Sequence, residues 1–309
     1  MRYKKLGKTN INVSVVGLGA WQLGGDWGPL EKDHALKLLN LAYDNGVNFF
    51  DTAPVYGFGR SEEVVGEFLN QINRDEVYIA TKCGLEWDNK SRIRNNLKKE
   101  RVLKEIEESL TRLKTDYVDL YQIHWPDPNT LLEETAEALQ RILDDGKARY
   151  IGVSNFSAEQ LEKLCKYLNV VSTQNYYNML VRDIEKDLFP IVKKYNLTII
   201  PYSPLAKGLL TGKITKDFEP SKDDPRAGDR IFKDKKLFLK NIKKVDKIKD
   251  ISNKIGKPLS QIAINWLLYH DEVSTVIAGT KNEQHLLENI NSSDWVMTKD
   301  LFEEINKLL

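Results

Sequence analysis

Short β-rich segments alternate with longer amphipathic segments along almost the whole sequence, and this alternation limits the possible folds more than any other feature. In residues 31–45, for example, apolar side chains recur at the spacing of one helix face. A regular strand–helix order implies parallel strands. Eight such units in 309 residues predict an α/β fold, the closed (β/α)8 or TIM barrel. The predicted strands cover residues 15–19, 47–51, 77–82, 117–124, 150–155, 171–175, 198–203 and 274–279.

A small β-hairpin is expected before the barrel, because residues 2–15 read as two brief strands around a Gly-Lys-Thr-Asn turn. A doubly wound sheet is the alternative fold. The segment GLGAWQLGG after the first strand lacks the Gly-x-Gly-x-x-Gly spacing of that class, so the barrel is favoured. No linker or low-complexity segment interrupts the pattern. Residues 1–309 are therefore expected to form a single domain.

Composition excludes several classes of partner. Lys and Arg number 46 against 45 Asp and Glu, so the charge balance gives no reason to expect nucleic acid or an anionic membrane surface. No apolar run is long enough to span a bilayer, and the N-terminal residues are too polar for a signal peptide. We expect a cytoplasmic protein. The two cysteines, Cys83 and Cys165, fit a reducing compartment, and no metal site is expected.

Polar side chains stand where the predicted strands end, which is where barrel enzymes carry their active sites. Strand two ends in Asp51 with Tyr56 in the following loop, strand three ends in Lys82, and strand four ends in His124. Each residue alone has an ordinary explanation as a helix cap, a solvated charge or a packed ring. Their convergence on one rim favours an active site. The later strands end in Ser154-Asn155, Gln174-Asn175, Tyr202-Ser203 and Gly279-Thr280-Lys281.

These residue types suggest a proton donor. A free tyrosine has a pKa of about 10 and is a weak acid at neutral pH. A neighbouring cation lowers that pKa, so Lys82 could activate Tyr56 while Asp51 holds Lys82 charged and in place. His124 could orient a substrate carbonyl. Such a site would protonate an oxygen as a hydride reaches the adjacent carbon, and a nicotinamide would have to supply the hydride.

A family resemblance covers nearly the whole chain. It rests on the segments FFDTAPVYGFGRSEEVVG, IATKCG, LYQIHWPDP, IGVSNF and IIPYSPLAKGLLTGK. In this order they resemble the signature segments of the aldo-keto reductase superfamily. HWPDP and GTKNEQHLLEN are similar to the bacterial members related to general-stress and inositol-linked reductases. The resemblance implies an NADPH-dependent reductase of aldehydes or small ketones. Its catalytic residues would be Asp51, Tyr56, Lys82 and His124.

The resemblance also implies a cofactor site. Ser154, Asn155 and Gln174 would contact the nicotinamide carboxamide, and Tyr202 would lie against the nicotinamide ring. Phosphate contacts would come from Ser203, Leu205, Lys207, Gly208, Lys213 and Arg226. The adenosine end would be held by Gly279, Thr280, Lys281, Gln284, Glu288 and Asn289. Further contacts would come from Ala20, Trp21 and Asp51.

Three further features bear on ligand binding. His285 falls where some relatives place an arginine, which implies a lighter hold on the 2′-phosphate of NADPH. The long connection 205–236 is charged and rich in Gly and Pro, which is typical of a functional lid or of disorder. A small carbonyl substrate would meet an open pocket. Its lining is expected to be Trp21, Tyr56, Trp87, His124 and Trp125.

Alternative functions remain open at this point. Lys82 at a barrel strand end could instead form a Schiff base, as in an aldolase. Channel β-subunits resemble the same family and serve mainly as interaction modules. Glu283 and Glu288 could favour NADH by binding ribose hydroxyls. Self-association is left open by the sequence. Four other aromatic residues are interpreted as core or interface residues: Tyr176, Tyr177, Trp266 and Trp295.

Overall fold

A barrel of parallel strands surrounded by helices is the main feature of the computed structural model, which describes residues 1–309. The strands are β1 (Tyr3–Lys5), β2 (Asn12–Ser14), β3 (Val16–Gly19), β4 (Phe49–Asp51), β5 (Tyr78–Cys83), β6 (Leu85–Trp87), β7 (Ile93–Asn95), β8 (Val118–Ile123), β9 (Ala148–Ser154), β10 (Val170–Tyr176), β11 (Thr198–Tyr202) and β12 (Val276–Ile277). Eight of them pair in the order β11-β10-β9-β8-β5-β4-β3-β12. A parallel bridge between Ile199 and Val273 brings β11 next to the segment that leads into β12, so the barrel is nearly closed. The predicted (β/α)8 fold is confirmed.

Helices surround the barrel and follow its strands. They are α1 (Lys32–Asp44), α2 (Arg60–Leu69), α3 (Lys99–Leu113), α4 (Leu132–Asp144), α5 (Ala158–Leu164), α6 (Ile184–Tyr195), α7 (Arg230–Lys233), α8 (Lys235–Ile255), α9 (Leu259–Leu268), α10 (Glu283–Ile290) and α11 (Lys299–Asn306). Short 3₁₀ helices cover Trp21–Gly24, Arg74–Glu76, Ala206–Thr211 and Asn291–Asp294. In α1 the buried residues are Ala35, Leu38, Leu39 and Ala42, which form the apolar face that the periodicity predicts. None of the helices combines the length and the apolar character needed to cross a bilayer.

Two antiparallel hairpins accompany the barrel. The predicted hairpin β1–β2 is present, with Tyr3 opposite Ser14. A second hairpin, β6–β7, was not predicted and pairs Leu85 with Asn95 directly after β5. Its second strand has only three residues and all of them are exposed, so it lacks the alternating pattern from which a strand is recognised.

The interior of the barrel is closed at one end. The β1–β2 hairpin and its turn contribute Leu6, Ile11 and Val13 to a small apolar cluster with side chains that point into the barrel. A larger apolar core lies between the strands and the helices. Because the hairpin fills the end where the strands begin, the open end of the barrel is the one where the strands end. The remaining members of the small cluster are Phe49, Ala80, Leu120, Val171, Ile200 and Ile277.

The long connection after β11 has a defined path. It contains the 3₁₀ helix Ala206–Thr211 and the short helix α7, and it ends at the start of α8. Between Gly212 and Gly228 the chain has no regular helix or strand. This segment passes along the open rim of the barrel, because several of its side chains line the cavity described below.

Candidate active site

A chain of buried polar groups runs from strand β4 to a tyrosine at the barrel rim. The ammonium Nζ of Lys82 donates to Asp51 Oδ1 at 2.6 Å, to the Thr52 carbonyl oxygen at 2.9 Å and to the Tyr56 hydroxyl at 3.1 Å. Lys82 and Asp51 are almost completely buried. Each of the three N–H bonds of the ammonium group therefore has an acceptor, and one of these acceptors is the Tyr56 hydroxyl.

The second oxygen of Asp51 is also satisfied. Gln122 Nε2 donates to Asp51 Oδ2 at 3.0 Å, and Gln174 Nε2 donates to the same atom at 2.8 Å. Sequence reasoning missed Gln122, although its position in β8, two residues before His124, places it on the inward face of that strand. Both carboxylate oxygens of the buried Asp51 therefore accept hydrogen bonds from side chains.

Burial and neighbouring charges shift the pKa values of Lys82 and Tyr56 in opposite directions. Burial lowers the pKa of Lys82, but the negative charge of Asp51 and the contact with Tyr56 outweigh it and raise that pKa above its usual value. Burial raises the pKa of Tyr56 and is opposed by the charge of Lys82. At neutral pH Lys82 is therefore charged and the Tyr56 hydroxyl is protonated. The expected lowering of the Tyr56 pKa below its free value is not what this environment produces, because burial outweighs the lysine.

His124 lies beside the phenol. Its ring centroid is 5.7 Å from that of Tyr56 and the two rings meet edge to face. Burial, assisted by the positive charge of Lys82, holds the pKa of His124 well below its ordinary value. The imidazole is therefore neutral, and it can offer one N–H as a hydrogen-bond donor without acting as an acid.

Tyr56 and His124 form the floor of one end of an elongated cavity of about 680 Å³ at the barrel rim. Trp21 and Trp125 stand at this end, and the cavity extends to helix α10. Most residues that the sequence placed at the cofactor or substrate line it. They are Trp21, Asp51, Tyr56, His124, Trp125, Ser154, Asn155, Gln174, Tyr202, Ser203, Leu205, Lys207, Gly208, Lys213, Arg226, Gly279, Thr280, Lys281, Glu288 and Asn289.

Three expected contact residues lie outside the cavity wall. Ala20 is fully buried, and its backbone N–H donates to the Asp51 carbonyl oxygen at 2.8 Å. Gln284 is exposed in the first turn of α10. Trp87, in strand β6 of the second hairpin, packs against Phe58 from the loop between β4 and α2, with ring centroids 5.5 Å apart. Tertiary packing decides where side chains in loops and first helix turns point, and the position of a residue in the sequence does not reveal it.

Aromatic and amide side chains from the ends of β9, β10 and β11 form another part of the cavity wall. Tyr202 donates to Asn155 Oδ1 at 2.9 Å, and Asn155 Nδ2 donates to the His124 carbonyl oxygen at 3.1 Å. Tyr176 stacks on Tyr202 with centroids 5.4 Å apart; it packs against the large apolar core, as expected, and it also lines the cavity. Tyr177 and Trp266 are buried, as expected of core residues, and Trp295 is partly buried.

Left-handed backbone conformations cluster around the cavity. Asn155, Ser203 and Lys207 have φ values of 61°, 51° and 52°, and all three line it. Such conformations in residues other than glycine cost free energy and concentrate at ligand sites. In the 3₁₀ helix after β11, Ala206 and Lys207 adopt them in succession, and the N–H groups of Ala206 and Gly208 donate to the carbonyl oxygens of Ser203 and Leu205.

The basic side chains of the cavity all have partners within the protein. Lys207 Nζ lies 3.0 Å from Asp229 Oδ2, and Arg226 pairs with the neighbouring Asp224. Lys213 Nζ lies 2.9 Å from His285 Nε2, so it belongs to the α10 end of the cavity. His285, which the sequence placed near the 2′-phosphate, also lines the cavity. Sequence reasoning missed several other lining residues, among them Gln22, Trp27, Asp229 and Ser260, for which only proximity to predicted rim positions could have been a signal.

Gly279 closes the junction between β12 and β3. A Cβ atom at this position would lie 2.0 Å from Gln22 Oε1 and 2.6 Å from the Gly19 carbonyl oxygen. No side chain fits there unless the two strand ends separate. The glycine thus keeps this part of the cavity wall thin.

These observations define a (β/α)8 barrel protein whose rim carries an Asp–Lys–Tyr chain and a neutral histidine at one end of a long, cation-bordered cavity. The sequence profile described as the Aldo/keto reductase family matches residues 15–309. The chain therefore belongs to the aldo/keto reductase family, a family of oxidoreductases.

Individual relatives agree with this assignment. The chain is 36% identical to "Aldo-keto reductase YhdN" of Bacillus subtilis over 313 residues, covering 100% of this chain and 94% of the relative. It is 32% identical to the "NADH-specific methylglyoxal reductase" of Escherichia coli, covering 94% and 93% of the two chains. It is 33% identical to a "Probable voltage-gated potassium channel subunit beta" of Oryza sativa, covering 100% and 97%.

A solved structure is also similar. The glycerol dehydrogenase AKR11B4 from Gluconobacter oxydans superposes with a TM-score of 0.92 at 35% sequence identity, covering 99% of this chain and 94% of that one. The similarity includes the helices as well as the barrel, because nearly the whole of both chains is matched.

Proposed function

We propose that the protein is an NADPH-dependent reductase that converts aldehydes or small ketones to alcohols, with Tyr56 as the proton donor. One observation carries the proposal: Lys82, held by Asp51, donates to a Tyr56 hydroxyl that borders the cavity next to His124. Family membership supports the oxidoreductase class. The two free cysteines are consistent with a cytoplasmic location.

The cavity fits a dinucleotide in shape and chemistry. It extends from the Tyr56 end to helix α10, it carries four basic side chains, and residues with left-handed backbone conformations line it. Gly208, which lines the cavity, has a φ of 98°, a conformation that strains residues with a side chain. A bound nicotinamide supplies the hydride for carbonyl reduction. The basic residues are Lys207, Lys213, Arg226 and Lys281.

The residues of this chain supply the proton and the orientation. The Tyr56 hydroxyl donates its proton to the substrate oxygen, and the Lys82 ammonium stabilises the phenolate that remains. Asp51 keeps Lys82 charged and fixed. The neutral His124 directs an N–H at the same substrate oxygen, which favours one orientation of the carbonyl group.

The substrate end of the cavity suits a small carbonyl compound. Trp21, Tyr56, His124 and Trp125 surround it, and 44% of Trp125 is exposed, so the mouth is open. Two similar proteins are named for small polar molecules, one for methylglyoxal and one for glycerol. We infer a preference for small aldehydes and ketones over bulky ones.

The α10 end supports NADPH over NADH. Lys281, Lys213 and His285 lie there, and a helix N-terminus favours anions. Glu288 accepts a hydrogen bond from Ser260 through Oε1, which leaves it less free to bind ribose hydroxyls. The Escherichia coli relative is named NADH-specific, so cofactor choice varies between similar chains.

The structure bears differently on the two alternative functions, the aldolase and the interaction module. A Schiff-base lysine needs a free, uncharged amine, whereas Lys82 is fully buried, donates three hydrogen bonds and has a raised pKa. An interaction module like the channel subunits is favoured by the similarity to the rice protein. Both kinds of protein could bind the cofactor, so turnover is the property that separates them.

A panel of small aldehydes and ketones with NADPH, followed by cofactor absorbance, tests the proposal. Multiple turnovers per enzyme molecule on at least one member are expected. Binding of NADPH without turnover on any member would favour the interaction module, and borohydride trapping of a substrate on Lys82 would favour the aldolase.

A further inference from the structure

The segment from Trp21 to Leu30 contributes Trp21, Gln22 and Trp27 to the cavity wall and is attached to the turn that carries Tyr56. The Gly57 N–H donates to Asp26 Oδ2 at 3.1 Å. Gly24 and Gly57 are in backbone contact, because a Cβ on Gly57 would lie 2.1 Å from the Gly24 carbonyl oxygen. The wall segment therefore has a fixed position relative to the proposed proton donor.

The same segment is fastened at the far end of the cavity. Lys281 Nζ donates to the Trp27 carbonyl oxygen at 2.5 Å. His34 Nε2 lies 2.8 Å from the Lys281 carbonyl oxygen, which holds this residue from the other side. Trp27 is thus located between the catalytic floor and the strand end that carries Lys281.

The indole N–H of Trp27 is buried and has no hydrogen-bond partner in the protein. The Trp27 side chain lines the cavity, and its ring meets Trp21 edge to face at 5.4 Å. Buried N–H groups without a partner are rare in folded proteins, because each one loses its hydrogen bond to water. An acceptor on a bound ligand would restore that bond.

The charges near Trp27 favour an anionic acceptor. Lys281 is in contact with its backbone, and Lys207 Nζ lies 5.7 Å from the centre of the adjoining Trp21 ring. The carboxylate within the segment, Asp26, is directed at the Gly57 N–H. A hydrogen bond to a charged oxygen is also stronger than one to a neutral oxygen.

We propose that Trp27 is a cofactor-binding residue whose indole N–H donates to a phosphate oxygen of the dinucleotide, with Lys281 beside it. This inference rests on the proposed function, since it takes the ligand to be a dinucleotide. It assigns a direct binding role to the loop after β3, in addition to its role as a wall.

Trp27→Phe removes the N–H and keeps an aromatic ring. Calorimetric titration of the full chain should show roughly 10- to 100-fold weaker binding for the variant, as expected for a lost hydrogen bond to a charged group. Calorimetry is preferred because the substitution itself changes tryptophan fluorescence. A loss for both NADPH and NADH places the contact at the pyrophosphate. A loss for NADPH alone places it at the 2′-phosphate.

Adenosine and a second variant serve as controls. Adenosine lacks phosphate, so its affinity should be the same for wild type and Trp27→Phe. Trp295→Phe removes an N–H that already donates to Gln261 Oε1 at 3.1 Å, and Trp295 does not line the cavity. This control should bind both dinucleotides as the wild type does.

Unchanged dinucleotide affinity in a folded Trp27→Phe variant would overturn the inference, and so would an equal loss for adenosine. These outcomes differ from a failure of the proposed function, in which the wild type would either bind neither dinucleotide or bind NADPH without reducing any carbonyl compound.

Discussion

At the residue scale, the site depends on keeping an ion pair buried. Removing two charges from water is costly, and the cost is recovered only when every donor and acceptor has a partner. Lys82 and Asp51 meet this condition through Thr52, Gln122 and Gln174. Loss of any one of these partners should therefore disturb the orientation of Lys82 towards Tyr56, even where the partner touches no substrate.

Cofactor preference is also decided by single residues. Lys281 is the first basic residue after β12, which ends at Ile277, and we propose that it binds the 2′-phosphate that distinguishes NADPH from NADH. Lys281→Ala should weaken NADPH binding by roughly 10- to 100-fold and leave NADH almost unchanged. Affinities of wild type and variant for both cofactors measure this. An equal loss for both, or a wild type that binds NADH more tightly, would refute the assignment.

At the element scale, strands place the catalytic groups and loops place the ligand groups. Asp51 and Lys82 belong to adjacent parallel strands, so their relative positions follow from strand register. Lys207, Lys213 and Arg226 lie instead on the connection between β11 and α8. A single loop that carries three cations can close on phosphates as one unit.

Limited proteolysis tests this closure. Lys216 and Lys222 are exposed in the connection and offer trypsin two cleavage sites. Cleavage there should be fast without ligand and slow with NADPH bound. Lys90 and Arg92 in the turn of the β6–β7 hairpin are exposed internal controls whose cleavage should not change. Equal cleavage of the connection in both states would argue against a clamp.

Helix α3 contributes a buried carboxyl group behind the active site. Glu105 Oε2 accepts from the Gly84 N–H at 2.9 Å, where β5 passes into the β6–β7 hairpin. Its other oxygen has no hydrogen-bond partner, and Arg101 lies 3.7 Å away. Burial raises the pKa of Glu105 from 4.5 to about 8. The titratable groups around it are Glu62, Cys83, Arg101, Glu108 and Tyr121.

This raised pKa predicts a pH-dependent stability. Between 4.5 and about 8 the folded protein keeps the Glu105 proton while the unfolded chain releases it, so the free energy of unfolding falls as pH rises. Glu105→Gln should remove about 2 kcal/mol of that fall between about pH 6 and pH 8. Urea unfolding measures it, with the exposed Glu100→Gln on the same helix as control. An unchanged pH dependence in Glu105→Gln would show that the carboxyl group is ionised in the folded protein.

At the scale of the whole molecule, one end of the barrel is structural and the other is functional. The β1–β2 hairpin fills the end where strands begin, and the cavity occupies the end where they finish. The order of strands and helices determines this division, since parallel strands bring all their carboxyl ends to one rim.

Sequence order was sufficient to predict the barrel and the residues at its strand ends. Asp51, Lys82 and His124 could be found because a strand end fixes where a side chain points. Trp27 and Trp87 could not be placed, because loop and hairpin directions depend on contacts distant in sequence, such as that of Trp27 with Lys281. The raised pKa of Tyr56 also needed the structure, since burial is set by the packed surroundings.

The most direct test of the account is aldehyde reduction by Tyr56→Phe. Loss of the proton donor should lower the turnover rate by roughly 100- to 10,000-fold. NADPH binding, measured by quenching of tryptophan fluorescence, should be retained. Tyr150→Phe, which removes a hydroxyl bonded to Asn10 outside the cavity, should reduce aldehydes at the wild-type rate. Near-normal turnover in Tyr56→Phe would contradict the proposed mechanism.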